Sequence, residues 1–273
     1  MMNKLGIIAG GGSLPRHIAE ICHSQGRDVF IIALEGYTDQ ETVDDRPHVW
    51  VRLGAVGNIL ELLRSANVVD LVLAGPVRRP SLADLRPDLT ALNLLRKFGK
   101  KALGDDGLLR SILATLEDEG FRIVGADTLL GSVLAEPGVI GVHTPDQQAQ
   151  SDIERGADVL AALSAVDVGQ AVVIQEGLVL GVEAIEGTDA LLSRCNALRR
   201  DGLGGVLVKI RKSGQDDRVD LPTIGAETIR AAARAGLRGV AIEAGGTMIM
   251  DRDEVVREAD ERGLFVIAIE TGQ

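Results

Sequence analysis

Two α/β domains joined by a linker are predicted by three features of this 273-residue chain. Short apolar runs without polar alternation recur along it, each followed by a helical pattern, and such runs read as strands buried on both faces. The 33 glycines cluster beside those runs, as tight strand-to-helix turns require. The pattern lapses between Gly138 and Gln148, where glycine, proline and polar residues replace it. The boundary is placed there, giving a Rossmann-like parallel-sheet domain over residues 1–142 and an α/β domain of mixed sheet over 143–273.

Leu5 to Ala9 is the first buried strand, and Gly10-Gly11-Gly12-Ser13 leads from it into a helix marked by Ile18, Ala19, Ile21 and Cys22. Gly26 ends that helix, and Val29 to Leu34 is the second strand, which completes a β–α–β opening. Ile59 to Leu63 marks a helix, Val68 to Ala74 a strand stopped by Gly75-Pro76, and Leu82 to Leu103 a helix broken at Pro87 and Gly99. A helix from Leu108 to Glu119 and a short strand from Phe121 to Val124 follow. This alternation is that of an open doubly wound sheet. Beyond the boundary comes a helix through Ile153, Ala157, Leu160 and Leu163, then strands Ala171 to Ile174 and Leu178 to Val182 joined at Gln175-Glu176-Gly177. That pair reads as a tight hairpin, so the second sheet opens antiparallel. Helices from Asp189, from Ala226 and over Asp253 to Arg262 then alternate with strands Val206 to Ile210, Gly239 to Ile242 and Leu264 to Ile269.

Composition narrows the function classes. Hydrophobic residues make up 45% of the chain and aromatic ones only 2%, so Leu, Val, Ile and Ala must fill the core and base stacking has no platform. A net charge of −11 argues further against nucleic acid. The cations that cluster at Arg78, Arg79 and Arg86, then Arg96, Lys97, Lys100 and Lys101, read as a solvated helix face or as the approach of a phosphorylated ligand or anionic membrane. Cys22 and Cys195 lie far apart outside any CxxC pair, and no run approaches the ~20 apolar residues of a membrane span. A cytoplasmic protein with reduced thiols is expected.

Several strand ends carry polar groups beside glycine, where α/β ligand sites gather. Gly10, Gly11 and Gly12 permit close backbone approach by a phosphate or sugar, or simply turn the chain. They depart from the dinucleotide fingerprint, since Pro15 stands where its third glycine belongs, although Glu35 ends the next strand roughly where an acid is wanted. One of Asp105 and Asp106 is expected to cap a helix, leaving the other for a ribose or a metal-bound water. Glu176, Glu183, Glu186, Thr188, Asp189 and Glu243 place further acids and hydroxyls near glycines, with Thr188 or Asp189 as a helix cap. Together they suggest a metal or diphosphate site at the sheet edge. Asp220, in the run Val219-Asp220-Leu221-Pro222-Thr223-Ile224-Gly225, precedes a helix and follows Lys209-Ile210-Arg211-Lys212. A carboxylate there can hold a cation or orient water against a phosphate; alternatively Asp220 ends a strand, Thr223 caps the helix and Glu227 closes a capping box. The histidines show no metal-ligand spacing and no G-x-S-x-G elbow is present, which disfavours zinc and serine hydrolases.

The stretches Leu5–Pro15, Gly104–Arg110, Gln175–Ala190 and Val219–Gly225, followed by Arg234–Gly239 and Glu243–Gly245, occur in an order and wording that resemble one family. It is the UDP-2,3-diacylglucosamine pyrophosphatase family of lipid A biosynthesis, the metal-dependent type unrelated to calcineurin-like phosphoesterases. The resemblance implies hydrolysis of the substrate's diphosphate to UMP and 2,3-diacylglucosamine 1-phosphate. Water would attack the sugar-side phosphorus, assisted by Mg2+ or a similar ion such as Mn2+, with the ligand between the domains. It makes Asp220 the catalytic acid and a metal ligand. Expected substrate contacts are Gly11, Gly12, Ser13, Gly75, Val77 and Arg79 on the first strand ends, and Gly104, Asp105 and Asp106 before the helix. In the second domain they are Glu176, Gly187, Thr188, Asp189, Lys209, Thr223, Glu243 and Gly245. Pro76 departs from the pattern, because many relatives carry Asn before the Val-x-Arg-Pro that here reads Val77-Arg78-Arg79-Pro80. Peripheral contact with the inner membrane and a homodimer are compatible with this reading. Its rivals are a nicotinamide-dependent oxidoreductase and a non-catalytic nucleotide-sugar or lipid carrier.

Overall fold

The computed structural model describes residues 2–77, 86–98, 105–131, 133–214, 216–219 and 221–271, with the chain divided into two compact units after Gly131. In the first unit, β1 (Leu5–Ala9), β2 (Val29–Leu34), β3 (His48–Val51), β4 (Asp70–Ala74) and β5 (Arg122–Ile123) form one sheet. Its order is β3-β2-β1-β4-β5 and every pairing is parallel. The helices are α1 (Leu14–Ser24), α2 (Gln40–Val43), α3 (Val56–Ser65), α4 (Leu89–Phe98), α5 (Asp105–Asp118) and α6 (Ala126–Leu130). β1 is central because Leu5, Ile7 and Ala9 are fully buried and the run bears no polar residue. Strand order reverses between β1 and β4, and ligands of open α/β sheets bind at the strands' carboxyl ends at such a point.

The opposite edge of this sheet is closed by charge. Asp70, which starts β4 and is 2% exposed, accepts Arg27 Nη2 at 2.5 Å and Arg122 Nε at 2.7 Å. A buried carboxylate tolerates its site only when so paired. Asp70→Asn is expected to cost about 2 kcal/mol, the scale of hydrogen bonds to charged groups. Urea unfolding would read it as a lower midpoint at unchanged slope.

The second unit has a sheet of order β6-β13-β11-β9-β7-β8. Its strands are β6 (Gly138–Ile140), β7 (Ala171–Gln175), β8 (Leu178–Val182), β9 (Val206–Lys209), β11 (Gly239–Glu243) and β13 (Phe265–Ile269), while β10 (Thr223–Ile224) and β12 (Met248–Ile249) pair separately. β9, β11 and β13 run parallel, and β6 and β7 run against them. β8 is antiparallel to β7 and so shares the direction of β9. Helices α7 (Gln147–Ser164), α8 (Thr188–Asn196), α9 (Ala226–Arg234) and α10 (Arg252–Glu261) cover it. Val172, Ile174, Val206 and Val208 pack with Ile153 and Leu160 of α7 on one face. Leu191, Leu207, Ile229, Val240 and Val255 form the core of the other.

The boundary therefore lies earlier than the sequence suggests. The stretch from Gly138 to Gln148 belongs to the second unit, since β6 pairs antiparallel with β13. Val142 N donates to Asp260 Oδ1 at 2.9 Å, and Asp146 caps α7 by accepting Ala149 N at 2.9 Å. Arg238 beside Asp146, and then that amide, hold its carboxyl below the usual range. Both cysteines are free and buried, and burial pushes their thiols up.

Candidate active site

At the β1/β4 reversal, two turns cross within the first unit. Gly10 N donates to Ala74 O at 2.8 Å and Gly11 N to Pro76 O at 3.0 Å. A Cβ on Gly10 would fall 2.4 Å from Gly75 O, and one on Gly75 (φ +86°) 2.3 Å from Gly11 O. Glycine is thus needed at both positions because two backbones touch. Gly12 N donates to Asp39 Oδ2 at 3.0 Å, so all three glycine amides have protein acceptors. The acid facing this turn is Asp39, which sequence spacing does not single out, while Glu35 is exposed. Thr38 binds the same strand ends together, donating to Ala9 O at 2.5 Å and accepting Leu34 N at 2.8 Å.

Past the crossing the surface opens. Gly12 (φ +74°), Ser13 and Val77 are exposed, and Ser13 precedes α1 without a side-chain cap bond. Pro15 occupies the first turn of α1, where a missing N–H costs nothing. The α1 terminus, beside exposed Gly12, Ser13 and Val77, has no acid in its own first turn and so favours an anionic group, against which the Asp39 carboxylate on Gly12 N acts as a like charge. Asp105 and Asp106 are the first two residues of α5; Arg79 and Gly104 lie outside the described residues.

In the second unit the polar groups converge on one sheet edge. Lys209 ends β9, Glu243 ends β11 and Glu183 follows β8, so the three leave the sheet on the same side. Lys209 Nζ, 7% exposed as a residue, donates to Thr188 Oγ1 at 3.2 Å and to Thr223 O at 2.9 Å. Thr188 Oγ1 donates to Glu183 Oε1 at 2.7 Å, and Gln170 N to Glu183 Oε2 at 3.0 Å. Beside this chain, Glu243 accepts Arg211 Nε at 3.2 Å and the Thr271 hydroxyl at 2.6 Å on Oε1, and Arg211 N at 3.1 Å on Oε2. Arg211 also reaches forward to Asp217 Oδ2 at 3.0 Å.

Asp220 lies outside the described residues, but its flanks are held. Upstream, Asp217 is tied to Arg211. Downstream, Thr223 O is held by Lys209, and β10 pairs with β12 while Met248 N donates to Pro222 O at 2.8 Å and Met250 N to Ile224 O at 2.9 Å. The described residues on either side of position 220 are thus held at the strand ends, by the Arg211–Asp217 pair upstream and by Lys209 and main-chain bonds downstream.

Three sequence expectations change here. Glu176 does not join the other acids, because β7 is antiparallel to β9 and Glu176 leaves it beyond Ile174, the partner of Val206 at the start of β9. It sits in the hairpin turn, its N–H bound to Asp152 Oδ2 at 3.1 Å, a strand length from Lys209. Glu176→Ala is accordingly expected to leave kcat and KM within about two-fold in steady-state assays, as ordinary surface changes do. Neither Thr188 nor Asp189 caps α8 through its side chain, since Gly187 (φ +82°) is the N-cap, the Thr188 hydroxyl faces Glu183 and Asp189 is exposed. Nor does Thr223 cap α9: Gly225 does, with its N–H donating to Thr228 Oγ1 at 3.3 Å, and Glu227 pairs with Arg234 and Arg230. Gly245 (φ +68°) turns the chain after β11 with its N–H on Ala135 O at 2.8 Å.

The described acids do not form a metal cage. No group of three or more His, Cys, Asp or Glu side chains suited to a metal ion occurs among the described residues. Glu183 and Glu243 each have both oxygens engaged by donors. Among the described residues, Asp39 and Asp152 are side chains that sequence reasoning missed, and each acts on a partner at least 24 residues away.

The model of the LpxI N-terminal domain matches residues 4–133 and that of the LpxI C-terminal domain residues 136–267. The chain is 41% identical over 276 aligned residues to a protein of Caulobacter vibrioides described as UDP-2,3-diacylglucosamine pyrophosphatase LpxI, covering 98% of each. Among solved structures, a precorrin-6A reductase, CobK, aligns at TM-score 0.34 and 13% identity, over 100% of this chain and 89% of that one. The UDP-glucose 4-epimerase of Thermus thermophilus in complex with NAD aligns at TM-score 0.32 and 15% identity, over 98% and 86%. Neither superposition is close enough to carry an argument about this chain.

Proposed function

The chain belongs to the LpxI family, and from that premise we propose that it hydrolyses UDP-2,3-diacylglucosamine to UMP and 2,3-diacylglucosamine 1-phosphate in lipid A biosynthesis. The observation that carries this reading is the match at 41% identity along 98% of both chains to a relative described as that pyrophosphatase. In the reaction, water adds its oxygen to the sugar-side phosphorus, the bond from that phosphorus to the bridging oxygen breaks, and UMP leaves with the bridge. Asp220 is the acid proposed to orient the water or to hold a cation. Lys209 and Arg211 hold the described residues Thr223 and Asp217 on either side of it in sequence, and supply positive charge for phosphoryl oxygens.

A divalent cation, Mg2+ or Mn2+, is part of the proposal and would offset charge on the diphosphate when bound. The engaged carboxylates of Glu183 and Glu243 do not suit it, and Asp220 with the substrate's own oxygens is the ligand set proposed. A Mg2+ ion held by one or two carboxylates together with substrate phosphates is an ordinary arrangement. Peripheral association with the inner membrane is proposed from the acylated substrate, since no helix of the described residues is long and apolar enough to cross a membrane. A homodimer remains part of the same proposal.

The test is incubation of the full-length protein with UDP-2,3-diacylglucosamine and Mg2+, with UMP analysed by chromatography. UMP release that stops with a chelator supports hydrolysis and metal assistance together. Release that ignores the chelator removes the metal, and no release removes the reaction. In 18O-labelled water, label in the sugar phosphate supports attack on the sugar-side phosphorus, and label in UMP overturns it.

A further inference from the structure

We propose that Glu183 is a positioning residue of this reaction, orienting the Thr188 hydroxyl so that Lys209 is fixed and, through it, the Thr223 carbonyl three residues after Asp220 in the chain. The proposal rests on the reading above that the Asp220 segment is the reacting end of the chain.

Glu183 is 6% exposed, and among the described residues its oxygens meet a backbone N–H and a hydroxyl, with no guanidinium or ammonium in direct contact. A carboxylate removed from water and left without a cation of its own is costly, and something must repay that cost. The Thr188 hydroxyl has one proton and two acceptor sites. Its proton lies on Glu183 Oε1 at 2.7 Å, so only lone pairs face Lys209 Nζ at 3.2 Å. Lys209 then donates to Thr223 O at 2.9 Å. The direction of every bond in this row follows from the carboxylate at its head. Without that acceptor the hydroxyl is free to turn its proton towards the ammonium, which would repel it. Gln170 N, at the foot of β7, anchors the other oxygen of Glu183, so the row begins on the rigid sheet.

Capping does not account for Glu183, because Gly187 is the N-cap of α8 without a side-chain cap bond. Neither does the ion pair nearby: Glu186, not Glu183, holds Arg194 at 2.8 Å. The row joins the end of β8, the first turn of α8, the end of β9 and β10, and it ends on the backbone three residues past Asp220.

Full-length Glu183→Met, Glu183→Gln, Thr188→Val, Thr188→Ser and the Glu183→Met/Thr188→Val double variant test it, with substrate and Mg2+ in steady state. Glu183→Met and Thr188→Val are each expected to lower kcat about ten-fold, the scale of lost outer-shell partners, with KM changed much less. Gln can serve one of the two donors and should fall between, and Thr188→Ser should recover most of the rate that Thr188→Val loses. The double variant should be no slower than the worse single, because both break one row. Thermal unfolding checks the fold, and Thr188→Val leaves the Gln170 bond intact if Glu183→Met destabilises the protein. Independently of turnover, the Lys209 ammonium resonance in 15N-labelled protein should move in Glu183→Met and Thr188→Val and hold in Thr188→Ser. Wild-type kcat in folded Glu183→Met, multiplying effects in the double variant, or an unmoved Lys209 resonance would each overturn the row. Absence of UMP release by the wild type would instead remove the reaction, while the resonance still reads the row.

Discussion

Asp220→Ala is expected to lower kcat by about 10³-fold or more while the protein stays folded, the loss typical of a missing proton-handling or water-orienting group. At that size the barrier rises by about 4 kcal/mol. Fold should persist because the described residues before and after position 220 are held: Lys209 on Thr223 O, the β10–β12 pairing, and Arg211 on Asp217. None of those bonds uses the side chain at position 220. KM should therefore change by far less than kcat, the signature of an interaction made chiefly in the transition state. Single-turnover rates and a thermal melt measured side by side decide the matter. Turnover within a few-fold of wild type would end the assignment, and a collapsed melting transition would mean that the residue serves the fold.

Much of the architecture was legible because buried parallel strands announce themselves. β1, β2 and the part of β11 before Glu243 are apolar throughout, so length and flanking glycine define them. The strands that escaped notice are those with an open side or little length. β3 alternates between exposed and buried positions at the sheet margin, and β6 has three residues beside Pro137 with two of them exposed. Losing β6 to a supposed linker displaced the boundary into the second unit. For the site, the nature of the groups could be read while their partners could not. Glu176 and Glu183 stand seven positions apart beside similar glycines, yet hairpin direction sends them to opposite sheet edges. Thr188, Asp189 and Thr223 all have capping chemistry, but glycines with suitable backbone geometry took both caps and left the Thr188 hydroxyl to Glu183. Asp152 is a polar residue on a helix by sequence and a buried clamp on the hairpin by structure, 1% exposed and accepting Gly177 N at 2.7 Å.

Gly10→Ala and Gly12→Ala should separate the two uses of the glycine turn. Position 10 is buried where its added methyl would meet Gly75 O at 2.4 Å and Pro76 O at 2.7 Å, both backbone atoms with no rotamer to change. One turn must lift off the other, breaking the bonds from Gly10 N to Ala74 O and Gly11 N to Pro76 O. A loss of about 3 kcal/mol is expected, at the upper end for overpacking. Position 12 is exposed, and its nearest neighbour would be Pro76 Cδ at 3.8 Å, so the methyl finds space and the strain lies only in φ +74°. That strain is worth about 1 kcal/mol for a residue other than glycine. The binding effects should run the other way. Gly12→Ala places its methyl on the open surface before α1, where an anionic group of the ligand would approach, and should weaken UMP binding measured by calorimetry at a temperature where the variant is fully folded. If UMP binds Gly12→Ala as tightly as wild type, the glycines after β1 serve the crossing with Gly75 and nothing else, and the nucleotide must be sought elsewhere.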